Sequence, residues 1–367
     1  MERRAARLGR AADSGRAAMR FGLDDDREAL RSTARELLAE LCPASAVRAA
    51  WTQAPDAAAW NALADLGALA VLVPQSEGGL GLDETYLVPV VEEAGRAALP
   101  HPLTETALVA APLGVMGPTV ATDLGAAGPT AATDPGTAEP TAAAGEEVAE
   151  SIKTAGEGAA RAVVPSAAFA EVFLLVSGRG LRLYEAHEVD VEPVETVDAS
   201  RHCGRVRPRT GGRSVTEDPD TVAAAFDRGV LGAAAELLGL SRAMLELTVG
   251  YASQRHQFGR PIGSFQAVKH HLANARLEIE FAAPAVLYAA HTVAHGQPDA
   301  SRAVSQAKWL AGSAAAVTGR AALQCHGAIG YTTEHDLHLY LKRSWALART
   351  WGGADFHADR VAASIDP

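Results

Sequence analysis

Apolar residues recur every three to four positions over residues 23–50, where Leu30, Ala34, Leu37, Leu38 and Leu41 share one stripe behind the acidic run Asp24–Asp26. That spacing predicts a helix, and the acids suit its N-terminus, where unpaired amides and the helix dipole favour negative charge. A second helical pattern runs from Trp60 to Leu69. A turn-rich break follows through Val71–Pro74 with Gly78, Gly79 and Gly81, and a third helix spans Tyr86–Ala98. Periodicity then lapses. Over residues 117–146 the segment GPTVATDLGAA is followed by a near copy, GPTAATDPGTA, and a decayed EPTAAAGEE. Such a stretch has no apolar face whose burial would offset the entropy of ordering it, so it reads as a flexible insertion. From 162 to 207 the pattern shortens to strands: AVVPSAAF, EVFLLVSG, GLRLYEA and HEVDVEPVETVD alternate or run apolar between glycines and acids. Long helical patterns occupy 220–295, 300–325 and 333–349.

Helices, a small strand-rich part and helices again make an α+β, mostly α, protein rather than an alternating βαβ one. The expected divisions are a disordered tail (1–18), an N-terminal helical domain (19–112), a low-complexity insertion or linker (113–160), a small, reduced β-barrel-like module (161–215) and a C-terminal four-helix bundle (216–367). Composition agrees: alanine is abundant and aromatics are only 5%, a balance that favours helices because alanine loses no side-chain entropy in them. A net charge of −11 argues against neutralising nucleic-acid phosphates or a general anionic surface. No apolar run reaches the 18 or so residues of a membrane span, so neither nucleic acid nor membrane is an expected partner. Cys42, Cys203 and Cys325 lie far apart, as reduced thiols of a cytoplasmic protein do. The first 18 residues carry five arginines and no apolar segment, unlike a secretory signal. A disordered tail, or a true start at Met19, is expected there.

Two stretches carry a resemblance. YASQRHQFGRPIGSFQAVKHHLANARLEIE (Tyr251–Glu280) looks like the signature of the flavin-dependent acyl-CoA dehydrogenases, in which a helix ends at Arg-x-x-Phe-Gly, turns, and restarts at Phe-Gln. QCHGAIGYTTEHDLHLYLKRSWAL (Gln324–Leu347) is similar to that family's Gln-x-x-Gly-Gly-x-Gly-Tyr stretch. WNALADLGALAVLVPQSEGGLGL (Trp60–Leu82) and VVEEAGRAALPHP (Val90–Pro102) resemble its N-terminal domain. The resemblance implies FAD as cofactor and acyl-CoA thioesters as substrates. It implies that Arg255 reaches the pyrophosphate of a neighbouring subunit's flavin, a task suited to a bidentate guanidinium. It also places Gln257 and Phe258 against the cofactor, Gln266 in hydrogen bond with it, and Gln324, Gly327 and Ala328 with their backbone near the pyrophosphate. Ala328 stands where the family has a second glycine.

Family members remove an α-proton with a carboxylate while a hydride leaves the β-carbon for flavin N5. The usual base is the Glu of a Tyr-Glu-Gly-Thr segment. The matching stretch here is Trp351-Gly352-Gly353-Ala354, so Gly352 holds the base position and Ala354 replaces the threonine. Relatives that carry the base on the helix before the Arg-x-x-Phe-Gly turn place it at Gly229, and Val230 takes the slot of an Arg that contacts CoA. No Thr-Glu-Pro-x-x-Gly-Ser-Asp stretch opens the strand-rich part. Asp227 and Asp355 are nearby carboxylates. No catalytic residue is assigned.

The expectation is an acyl-CoA dehydrogenase-like subunit of a hetero-oligomer, paired with a second, base-bearing subunit and an electron-transfer flavoprotein-like acceptor. Two alternatives stay open: a self-sufficient homotetramer using Asp227 or Asp355, and a flavin-free scaffold. His335, His338 and His357, like His270 and His271, are expected to be polar positions of surface or interface helices rather than metal ligands.

Overall fold

The computed structural model describes residues 22–115, 117, 119–122, 124, 163–178 and 180–365. The expected tail and most of the expected insertion therefore lie outside the described residues. Four short N-terminal helices come first: α1 (Asp25–Leu41), α2 (Ala44–Ala49), α3 (Ala57–Asp65) and α4 (Glu84–Arg96). Asp24, Asp56 and Asp83 cap α1, α3 and α4 by accepting first-turn backbone N–H groups, which satisfies donors that a helix start otherwise leaves open. The continuous pattern read over 23–50 is cut at Cys42–Pro43, because proline has no amide hydrogen to continue α1. A wide-turn helical segment, Thr104–Ala110, follows α4 and is wholly buried.

The strands form two sheets. β1 (Val120–Thr122), β3 (Val172–Ser177), β4 (Gly180–Glu185) and β7 (Arg213–Thr216) lie in the order β1-β3-β4-β7, with β1 parallel to β3. β2 (Val163–Val164), β6 (Gly204–Pro208) and β5 (Val189–Pro193) make the second sheet, in that order. Ala121, Val164, Phe173, Leu175, Tyr184, Val189 and Val206 pack into a small core of their own, while the other face of the first sheet joins the main core through Leu174, Val176 and Leu181. Among the described residues neither sheet closes on itself, so the module is barrel-like only in its layering. β1 falls inside the first copy of the duplicated segment, where three residues are too few to show alternation.

Helices α5 (Pro219–Gln254), α6 (Gln266–Ala294), α7 (Ala300–His326), α8 (Leu337–Arg349) and α9 (Ala354–Ile365) complete the chain. α7 packs along both α5 and α6, with α8 and α9 against the bundle. α4 crosses α5 in near backbone contact: a Cβ on Gly95 would lie 2.3 Å from the Glu236 carbonyl oxygen, and one on Gly239 only 1.9 Å from that of Glu92. Among the described residues no helix is long and apolar enough to cross a membrane.

Candidate functional site

Helix α5 stops at Gln254 because the backbone turns extended at Arg255 (φ −74°, ψ 121°), whose N–H still bonds the Tyr251 carbonyl. The chain then makes a hairpin, β8 (His256–Gln257) against β9 (Arg260–Pro261), with Phe258 and Gly259 at its tip. Both tip residues have positive φ, 53° and 80°, a conformation that suits glycine and strains a bulky side chain. Phe258 is nonetheless 92% exposed, its ring perpendicular to that of Phe265, which Arg260 covers at 4.1 Å. Gln266 opens α6 and is exposed.

The second turn lies at the end of α7. Gly327 caps that helix at φ 64°, ψ −140°, a combination closed to residues with a Cβ, and nothing stands within 4 Å of where that Cβ would be. Gln324, Gly327 and Ala328 are exposed. The two turns are tied together by ring stacking: Tyr251 lies over His326 with centroids 4.4 Å apart, its hydroxyl donates to the His326 carbonyl at 3.5 Å, and His335 packs edge-on against both. Beside them opens a cleft of about 540 Å³ lined by Arg96, Glu246, Tyr251, Gln254, His335 and Tyr340. Thus Arg255, Gln257, Phe258, Gln266, Gln324, Gly327 and Ala328 all face solvent, on turns linked through Tyr251 and His326.

The base positions look very different. Gly352 has φ +92°, and a Cβ there would meet Phe356 at 2.4 Å and His357 at 2.9 Å. On Gly229 a Cβ would lie 2.4–2.5 Å from the indole of Trp351. Val230 is fully buried. Asp227 is buried, with Arg360 donating to Oδ1 at 2.7 Å and Ser301 to Oδ2 at 2.5 Å, and Asp355 is an exposed first-turn acid of α9.

Sequence reasoning missed a buried acidic cluster close by. Glu105 and Glu236, with His101, Ser166, Arg201 and Trp351, line a void of about 20 Å³, room for roughly one water. Thr104 donates to Glu236 at 2.6 Å. Burial, reinforced by the neighbouring Glu236, pushes the Glu105 carboxyl up to about 7, and burial raises Glu236 as well. The only signal was a glutamate inside each of two apolar helical runs, TETALVA and AAAELLGL. Among the described residues no group of His, Cys, Asp and Glu could hold a metal ion. His338 and His357 are nevertheless buried, not surface positions: His338 lies against Trp51 and Arg48, and His357 bonds the Trp351 carbonyl.

Comparison with known proteins decides the family. Residues 24–118 match the acyl-CoA dehydrogenase N-terminal domain and residues 220–365 the acyl-CoA dehydrogenase C-terminal domain. The chain belongs to the acyl-CoA dehydrogenase family. It is 30% identical to acyl-CoA dehydrogenase IpdE2 of Mycolicibacterium smegmatis over 94% of this chain and 100% of that protein. It is 34% identical to acyl-CoA dehydrogenase FadE34 of Mycobacterium tuberculosis over 91% of this chain but only 47% of that longer protein. Among solved structures, a variant of the Tcur3481-Tcur3483 steroid ACAD superposes with a TM-score of 0.77 at 27% identity, covering 93% of this chain and 98% of that one. The acyl-CoA dehydrogenase fold accounts for the helix–sheet–helix order.

Proposed function

We propose that this chain is a half-site subunit of a hetero-oligomeric acyl-CoA dehydrogenase, lending a flavin-gripping edge to a partner subunit that carries the base. One contrast within the chain carries this reading: the seven flavin-side residues stand exposed, while both base positions are glycines packed shut. The residues on the exposed edge fit half of a dinucleotide site, with a guanidinium, carboxamides and a glycine turn; the base and the flavin-facing stretch are the half that does not fit.

Bound FAD would supply the hydride acceptor for the β-carbon of the acyl thioester. The Arg255 guanidinium would hold the pyrophosphate through charge-assisted hydrogen bonds, and Phe258 would cover the apolar adenine end. Gln257, Gln266 and Gln324 would donate to it from their side-chain amides, and Gly327 would let the backbone approach the phosphates closely. The α-proton passes to a carboxylate of the partner, which must sit against the substrate α-carbon. Two comparisons support the pairing: the steroid ACAD is named for two chains, and a sequence like this one accounts for about half of FadE34. By the same analogy the substrates are acyl-CoA thioesters with bulky, steroid-like acyl groups, and the electrons pass on to an electron-transfer flavoprotein-like acceptor.

The test is to purify the chain alone and with a candidate partner subunit, then record the visible spectrum and acyl-CoA-dependent dye reduction. Flavin colour and turnover are expected only in the mixture, and Arg255→Ala should strip flavin from it. A chain that is yellow and active alone overturns the pairing. Unchanged flavin content in the Arg255→Ala mixture overturns the site.

A further inference from the structure

Trp351 occupies a conformation that its own side chain resists. Its φ is +61°, in the left-handed region, yet its indole is only 1% exposed. The ring lies across the Gly229 face of α5, from which a base would project, and meets Phe226 edge-on at 5.9 Å. Trp351 also lines the void of about 20 Å³ beside Glu105 and Glu236.

The backbone under that ring is held from below by groups the proposed half-site role does not use. Lys308, 2% exposed, donates to the carbonyl oxygens of Ala348 and Gly352, both at 3.3 Å. A buried ammonium is costly to desolvate, and here burial draws it down to about 7. The carbonyls it meets belong to the end of α8 and to the residue after Trp351, where the helix dipole favours a positive group. His357 donates from Nε2 to the Trp351 carbonyl at 2.9 Å, since a carbonyl can only accept, and its Nδ1 faces Ser305 at 3.2 Å. Two consecutive peptides, those of Trp351 and Gly352, are therefore clamped by separate side chains from α7 and α9.

We propose that Trp351 is a plug that closes this subunit's own acyl cleft, and that Lys308 and His357 are positioning residues that hold the Trp351–Gly352 peptides so that the indole stays in. The cleft is identified here by the base positions, so the proposal rests on reading the chain as an acyl-CoA dehydrogenase subunit without its own base. Its consequence is that the subunit takes no acyl chain itself, whatever the partner does.

The experiment uses the full chain alone, without flavin or partner. In Trp351→Gly the space left by the indole should accept free indole: millimolar indole should raise the Tm of the variant by several degrees and leave the unsubstituted chain unmoved. An equal effect on both chains, or none on the variant, overturns the plug. A variant that folds only when indole is present supports it; one that stays unfolded at every indole concentration overturns it. Lys308→Met keeps the indole and tests the clamp. In protein labelled with 5-fluorotryptophan, the Trp351 resonance, assigned by its loss in Trp351→Phe, should shift and broaden in Lys308→Met. A resonance unchanged in position and width overturns the role given to Lys308. A colourless mixture with a partner would sink the half-site reading and leave the indole result standing, so the two failures are distinguishable.

Discussion

Arg343 of α8 forms a buried ion pair with Asp198 in the loop before β6, and the same guanidinium donates to the Leu99 carbonyl at 2.7 Å and the Ser200 hydroxyl at 2.9 Å. One side chain thus joins the N-terminal helices, the strand module and the C-terminal bundle. Burial alone raises the Asp198 carboxyl, but Arg343 and the Ser200 hydroxyl outweigh it and hold the group below the usual carboxylate range. Arg343→Ala leaves a buried carboxylate unpaired, a loss of about 3–5 kcal/mol. The urea midpoint of the chain checks this; a change under about 0.5 kcal/mol would show the joint is not stressed by its removal.

Glu105 gives the chain a pH signature. Its folded value of about 7 lies above the ordinary 4.5, so its contribution to stability is complete below pH 4.5 and is lost as the pH rises through 7. Glu105→Gln should therefore match the unsubstituted chain at pH 4.5 and exceed it at pH 8 by at most about 3 kcal/mol. Urea titrations at the two pH values read the difference. Parallel behaviour at both would mean that folding does not raise the Glu105 carboxyl above its ordinary value.

Asp227 separates the half-site reading from a self-sufficient enzyme. Because both its oxygens are bonded, to Arg360 and Ser301, Asp227→Ala should cost about 3–5 kcal/mol by stranding the buried Arg360. Turnover per folded mixed complex should stay within about twofold. A thousandfold loss of kcat, roughly 4 kcal/mol at the transition state, would make Asp227 the base.

Restoring a glutamate at position 352 should not restore activity to the chain alone. Gly352 has φ +92°, and a side chain there runs into Phe356, so Gly352→Glu is expected to lower stability by about 1–3 kcal/mol. Dye reduction with acyl-CoA by the purified variant should equal the blank. Turnover above the blank would mean that the 351–353 backbone re-forms easily around a new carboxylate.

The long periodic stripes were legible: α1, α4, α5, α7 and α8 fall where the spacing of apolar residues placed them, and the end of α5 at Gln254 follows the Arg-x-x-Phe-Gly turn. So were β3, β4 and β5, which fall inside segments read as strands, whereas β6 and β7 were harder to place. β6 (Gly204–Pro208) and β7 (Arg213–Thr216) alternate arginines or polar residues with little that is apolar, because both partly face solvent. The helix α9 was hidden because its buried positions are His357 and Arg360, polar residues satisfied by Trp351 and Asp227 rather than by apolar packing. The exposed residues proposed to grip the flavin were readable as a motif, since binding a dinucleotide would demand particular residue types. The buried pair Glu105 and Glu236 was not, because each sits alone in its own apolar run and only the close approach of the Thr104–Ala110 segment to α5 brings them to one cavity.

Phe258 carries a consequence for how the chain is made. A phenyl ring bare at a hairpin tip, with Tyr331 77% exposed after the second turn, is apolar surface of the kind that chaperones and proteases recognise on orphaned polypeptides. On the proposed pairing the partner subunit covers that ring, so the chain expressed without a partner is expected to be cleared or to precipitate sooner than the mixture.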